Sequence, residues 1–302
     1  MSTPPVVVAV DGSDDSLRAL DWALDAARRR EAPLRAVHVR QYAAWYQPDV
    51  LVAGPPQGED DDPVLDQARA RLADRDTGAV SVEYLGLDGL PGALLPELGS
   101  TAQLLVLGSR GRGGFASLLL GSNGLAVARD ADCPVVVVPR TDRATPGDAP
   151  HAPGARIVVG VDADGPDEAV LAFAFAEAAL RGARLQAVAA YPWPVQPWLV
   201  PGEVAPPVVD QDAVERDTRA LVEDFLAAHR TRHPDVAADV TVTPGDAAGQ
   251  LVAAAQGADL VVVGRHRRRL LSPARMLGSV THAVLLHAPS PIAVVPPAPP
   301  QE

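Results

Sequence analysis

The chain repeats itself, and that constrains its fold more than any other feature. Val6-Val7-Val8-Ala9-Val10-Asp11 returns as Ile157-Val158-Val159-Gly160-Val161-Asp162, 151 residues downstream. The spacing holds without a gap through Leu20/Leu171, Ala27/Ala178, Leu34/Leu185 and Val37/Val188. Further on, Gly121-Ser122 pairs with Gly278-Ser279 and Pro134-Val135 with Pro291-Ile292 at a spacing of 157, so six residues separate the two alignments. A unit of about 150 residues is far longer than a solenoid repeat and has the size of a domain. The expected organisation is a first domain over residues 1–140, a linker over 141–154 and a second domain over 155–302. The linker is polar, rich in Pro and Gly, and carries no apolar period.

Within a copy, strand and helix patterns alternate. Val6–Val10 is a continuous apolar run, the mark of a strand buried on both faces. Asp14–Arg30 carries Leu17, Leu20, Ala23, Leu24 and Ala27 at helical spacing. Leu34–Val39, Val80–Leu85, Leu104–Leu107 and Val135–Val138 read as further strands, separated by helices over Val64–Asp76, Leu94–Ser100 and Leu118–Arg129. Connections of this length imply right-handed βαβ crossovers. The expected fold is α/β: two tandem doubly wound, Rossmann-like domains, each with a five-stranded parallel sheet. Aromatics are only 4% of the chain, so Val, Ala and Leu must fill the cores.

Charge and cysteine usage exclude several functions. A formal charge of −12 disfavours binding to a phosphate backbone, so no nucleic-acid partner is expected. One cysteine cannot staple a secreted fold, and no apolar run approaches membrane-spanning length. These features point to a cytoplasmic protein without a membrane partner. The seven histidines show no metal-ligand spacing, so no metal site is expected in the protein itself. Cys133, with no base nearby in sequence, reads as a packed thiol.

In open parallel sheets, ligands sit beyond the carboxyl ends of the strands at the switch point. That places attention on Asp11-Gly12-Ser13 and on Gly108-Ser109-Arg110-Gly111-Arg112-Gly113-Gly114, followed by Gly121-Ser122-Asn123-Gly124. Glycines let several backbone N–H groups converge on one anion, and Gly121-Ser122 opens a helix whose free N–H groups favour phosphate. Arg110 and Arg112 could add charge; a mobile loop with a routine helix cap is the plain alternative. A dinucleotide fingerprint belongs after the first strand, and a P-loop needs Gly-Lys-Ser/Thr; neither is present.

Gly108, Gly111, Gly121 and Ser122 form Gly-x2-Gly-x9-Gly-Ser after the fourth strand, and Asp11 closes the first. In these residues the chain resembles the universal stress protein superfamily, in its tandem form and its ATP-binding branch. The resemblance implies that Ala9, Val10 and Asp11 approach the nucleotide and that Val39 meets the adenine. It places Gly108, Arg110 and Gly111 along ribose and phosphate, and Gly121, Ser122 and Asn123 on the phosphates. Relatives often carry a hydroxyl where Gly124 stands, so ADP or AMP is the alternative to ATP, with Mg2+ as a possible companion. The resemblance further implies a sensor or regulator of the stress response rather than an enzyme. Slow ATP hydrolysis and a nucleotide-free interaction protein are the rival readings. It also implies that the fifth strands, Val135–Val138 and Ile292–Val295, pair the copies as an intrachain pseudo-dimer or pair two chains as a homodimer.

The second copy departs from the motif. Arg267 stands where the second glycine belongs, Gly278 lies one residue further from Gly264, and Ala190 replaces Val39. Asp162, Gly264, Gly278, Ser279 and Thr281 persist as candidates, and the expectation is one working site and one degenerate partner. The cluster Arg265-His266-Arg267-Arg268-Arg269 reads as a solvated loop, the alternatives being a patch that catches a phosphate or an acidic partner, or a basic run that binds nucleic acid. Arg28-Arg29-Arg30 reads as a helix end, and Tyr191, Trp193 and Trp198 as a rigid loop beside the second site.

Overall fold

The computed structural model describes residues 3–41, 62–110, 121–140, 155–191, 210–265 and 276–298. The first half runs β1 (Val6–Ala9), α1 (Asp14–Arg29), β2 (Leu34–Arg40), α2 (Pro63–Ala73), β3 (Val82–Asp88), α3 (Pro91–Leu98), β4 (Leu104–Gly108), α4 (Ser122–Asp130) and β5 (Val135–Val138). The second half repeats this order with β6 (Arg156–Gly160), α5 (Glu168–Arg181), β7 (Arg184–Tyr191), α6 (Gln211–Arg232), β8 (Ala238–Pro244), α7 (Ala247–Ala254), β9 (Leu260–Gly264), α8 (Ser279–His287) and β10 (Ile292–Val295). The third helix starts at Pro91 rather than Leu94, because proline fits a first helical turn that needs no N–H there.

Local chemistry sets the helix ends. Ser13 accepts from the Ser16 N–H at the start of α1, and Asp14 and Asp15 sit in the first turn against the positive end of the dipole. Asp62 caps α2 on the Val64 and Leu65 N–H groups, with Pro63 next. α5 ends at Gly182, whose φ of 58° is the left-handed conformation that favours glycine.

Among the described residues the strands form one ten-stranded sheet, in the order β3-β2-β1-β4-β5-β10-β9-β6-β7-β8. Pairing is parallel within each half and antiparallel at the seam, where Val137 faces Ile292, Val136 faces Ala293 and Val135 faces Val294. Each half contributes the five parallel strands expected of it, and the two sets join into one continuous mixed sheet rather than standing as separate sheets. The seam removes two edges that would otherwise expose unpaired N–H and C=O groups. It also corrects the expectation of a homodimer through the fifth-strand edges, because β5 lies between β4 and β10, and β10 between β5 and β9. No fifth-strand edge is left open to another chain.

Helices α1, α2, α5 and α6 cover one face of the sheet and α3, α4, α7 and α8 the other. Val6 and Val8 enter the first core and Val7 the second, all fully buried, which is why the run is apolar without alternation. Each core crosses the seam. On the first face Glu177 of α5, 1% exposed, pairs with Arg181 of its own helix at 3.0 Å and with Arg30 from the end of α1. Arg30 therefore joins the halves, beyond the role of a helix-end cation.

Candidate functional site

The switch point of each half lies between its first and fourth strands, β1/β4 and β6/β9, and the site residues gather there. In the first half, Ala9 ends β1, and Val10 and Val39 are buried beside it. The Asp11 carboxylate accepts from the Ser13 N–H at 3.0 Å and the Ser13 hydroxyl at 2.6 Å. The Asp11 N–H reaches the Ser16 hydroxyl oxygen at 3.3 Å. Asp11 is thus bound into the turn that starts α1.

Gly108 is required for packing. A Cβ there would lie 2.6 Å from the Asp15 carbonyl carbon and 2.9 Å from the Ser16 nitrogen, so the first turn of α1 rests directly on the end of β4. Ser109, 1% exposed, donates to Asp15 at 3.0 Å, and Asp15 also pairs with Arg18 and, at 3.4 Å, with Arg140. Sequence reasoning passed over this buried network, although Asp15 on the core side of an amphipathic helix was its available signal. The Arg110 carbonyl lies 3.3 Å from the Ser13 hydroxyl, and the Arg110 Nε is buried without a hydrogen bond among the described residues.

Gly121 returns the chain to the same place. Its N–H donates to the Ser109 carbonyl at 3.1 Å, which sets the start of α4 against the end of β4. Among the described residues no side chain caps α4, and nothing lies within 4 Å of a Cβ on Gly121. Ser122 and Asn123 are exposed. The Asn123 Oδ1 leans towards α3, 3.4 Å from where a Cβ on Gly92 would sit. The free N–H groups of this helix start are a natural anion seat. Gly111 and Arg112 lie outside the described residues, as do Trp193, Trp198 and the cluster from His266 to Arg269.

The second half carries a half-open cavity of about 840 Å³, within the range of small-molecule sites. Asp162, Ala190, Gly264, Gly278, Ser279 and Thr281 all line it. Val188, Leu251 and Val263 supply apolar wall, and Gly165, Asp167 and Met276 are wall residues that sequence reasoning did not select. Arg265, expected with its cluster in a solvated loop, is instead 7% exposed and joins the wall. Asp162 accepts from the Asp164 N–H at 3.1 Å, repeating the Asp11 turn. The Thr281 hydroxyl donates to the Gly264 carbonyl at 2.6 Å, and no side chain caps α8 among the described residues. The cavity has a local cause. The cap of α5 is Asp167, whereas the repeat spacing would put the counterpart of Ser13 at Asp164. The backbone turn that covers Gly108 is therefore missing over Gly264, where a Cβ would meet side chains instead, the Val170 Cγ2 at 3.0 Å and the Asp167 Oδ2 at 3.7 Å.

Other candidate groups lie away from both sites. Cys133 is 4% exposed, and burial pushes its thiol up to about 12, which leaves no thiolate near neutral pH. His229 is buried, stacks on Phe175 and meets Glu168 at 3.2 Å. Among the described residues no group of three or more His, Cys, Asp and Glu could hold a metal, and no helix is long and apolar enough to cross a membrane.

The chain is a doubly wound α/β protein in which, among the described residues, no side chain caps the helix start at either switch point. The universal stress protein family matches residues 3–139 and again 155–296, and the chain belongs to that family. A universal stress protein of Mycobacterium tuberculosis is 35% identical over 294 residues, covering 96% of each chain. Among solved structures, a functionally unknown protein of Pseudomonas aeruginosa aligns at a TM-score of 0.64 and 17% identity, over 97% of this chain and 92% of that one. A universal stress protein of Archaeoglobus fulgidus aligns at 0.59 and 15% identity, over 97% and 98%. Both share the fold.

Proposed function

We propose that the chain is an adenine-nucleotide-binding regulator of the stress response, acting in the cytoplasm by binding rather than by turnover. The observation that carries this reading is the start of α4, uncapped by any side chain among the described residues and drawn by the Gly121–Ser109 bond to the end of β4, across the switch point from Asp11. Phosphates would take the N–H groups of Ser122 and Asn123, and the Ser122 hydroxyl could donate to them. Val10 and Val39 would flank the base, and the Asp11 carboxylate could accept from a ribose hydroxyl. Gly111 would complete the phosphate loop, and Mg2+, if bound, would be held mainly by the phosphates and water. Binding would order the surface around the site and shift what it contacts.

The domains of this reading are residues 1–140 and 155–302 with the linker 141–154, and the β5–β10 seam supports treating them as an intrachain pseudo-dimer. The second-half cavity favours a second ligand site in place of the degenerate partner expected from Arg267. Calorimetric titration of ATP, ADP and AMP with Mg2+ tests the proposal on wild type and on Ser122→Glu, which puts a carboxylate at the helix start. One site lost in Ser122→Glu is the expected minimum, and a second, unaffected site would belong to the second half. Absence of binding by all three nucleotides would leave the interaction-protein reading in front, and phosphate release would favour the slow ATPase.

A further inference from the structure

The helix that opens on the first-half site is held at its other end by the second half. α4 spans nine residues, about 13 Å, from its cap at Gly121 to Asp130. At its far end the Arg265 guanidinium donates to the Arg129 carbonyl at 2.6 Å and the Ala131 carbonyl at 2.7 Å. Helix-end carbonyls have no partner within the helix, and a helix this short is marginal by itself. The residue after α4, Ala131, is extended, so no left-handed glycine closes the end. Arg129 turns its own side chain onto Asp130. Arg265 is 7% exposed, so its two charge-assisted bonds form largely out of water, where they count most.

Arg265 also belongs to the wall of the second-half cavity. Its N–H donates to the Val295 carbonyl at 2.9 Å, and Gly264 before it takes the Thr281 hydroxyl. Ser109, which follows the last residue of β4 as Arg265 follows that of β9, bonds to Asp15 within its own half. Of this pair, Arg265 reaches a helix end in the other half and Ser109 bonds within its own.

We infer that Arg265 is a positioning residue for the first-half anion site, through which the affinity of that site depends on the second half. The inference rests on reading Gly121–Asn123 as the phosphate seat. A helix start formed only part of the time binds with an affinity reduced by that fraction. Arg265 raises the fraction by fixing the opposite end.

The test titrates ATP with Mg2+ into full-length wild type, Arg265→Met, Arg265→Lys, Ser122→Glu and the double variant of Arg265→Met with Ser122→Glu. Arg265→Met should weaken first-half binding about three- to tenfold, the range expected for losing a partly buried charge at a helix end. Arg265→Lys, which keeps the charge, should restore part of it. Comparing the double variant with Ser122→Glu measures what Arg265→Met does to the second-half cavity, whose wall it also lines, and that change is subtracted to leave the first-half effect. Hydrogen exchange should quicken at the α4 amides in Arg265→Met while β1 and β4 stay protected. Wild-type binding that Arg265→Met leaves within twofold would overturn the positioning role and spare the nucleotide reading. Faster exchange spread over both halves would reduce Arg265 to a general stability role and overturn it as well. No binding by wild type would end the nucleotide reading and the inference with it.

Discussion

Three glycines of similar motif standing should respond differently to a single added methyl group. In Gly108→Ala the new Cβ would sit 2.6 Å from the Asp15 carbonyl carbon, 2.7 Å from its oxygen and 2.9 Å from the Ser16 nitrogen. These are backbone atoms of a capped helix, so relief requires α1 to move as a body, and overpacking of this kind costs about 3 kcal/mol. For a protein of this size that lowers the melting temperature by about 6 °C. In Gly264→Ala the neighbour is the Val170 Cγ2 at 3.0 Å, a side-chain methyl that can give way, for about 1 kcal/mol. In Gly121→Ala the Cβ meets nothing within 4 Å, and φ is −72°, so only the poorer cap counts, about 0.5 kcal/mol. Urea and thermal unfolding of the three variants would rank them 108, 264, 121. Gly108→Ala should also lose the proposed first-half nucleotide binding, because a shifted α1 carries Ser13 and Asp11 with it. A Gly108→Ala protein as stable as wild type would refute the packing role of Gly108, and an equal loss in Gly121→Ala would refute the open space at the start of α4.

Other perturbations probe the remaining structure. Gly121→Asp has the right backbone for a cap and should stabilise the fold by about 1 kcal/mol while abolishing the proposed first-half nucleotide binding, since its carboxylate would occupy the helix-start N–H groups; melting curves and calorimetry together decide this. Glu177→Gln should cost about 3 kcal/mol in urea unfolding, because it leaves two largely buried arginines facing a neutral amide, and burial already lowers the Arg30 pKa. For Asp62, burial acts to raise the carboxyl, but the bonds from His38 and from the Leu65 and Val64 N–H groups outweigh it and hold it below the ordinary carboxylate range. Its stabilisation is therefore full above the unfolded carboxylate pKa of about 4 and lost as pH falls below it. The stability gap between wild type and Asp62→Asn should be open at pH 7 and close in acid; a gap independent of pH would count against the charge.

Much of this protein can be read along the chain because its elements are local in sequence. Capping residues such as Ser13 and Asp62, the fully apolar Val6–Val8 run and the two-copy pattern each act over a few residues or repeat at a fixed spacing. Asp11, Gly108 and Gly121 could be nominated together because the fold class says which strand ends meet. Their individual duties could not. Gly108 suits a phosphate loop by its pattern, yet its missing Cβ makes room for the backbone of α1, ninety-odd residues earlier in the chain.

The repeat, the alternation of strand and helix, and the placing of polar and glycine residues at the strand ends follow from the sequence itself, since propensity, capping and hydrophobic period are short-range forces. The choice of an intrachain seam between β5 and β10 over a pairing of two chains, the burial of Glu177 between Arg30 and Arg181, and the reach of Arg265 to α4 were decided only in three dimensions. Each joins residues on opposite sides of the linker, and no local pattern records which buried charge will find which carbonyl or carboxylate. The second-half cavity shows the same division: a helix that starts three residues late is a small change along the chain, and only packing turns it into space for a ligand.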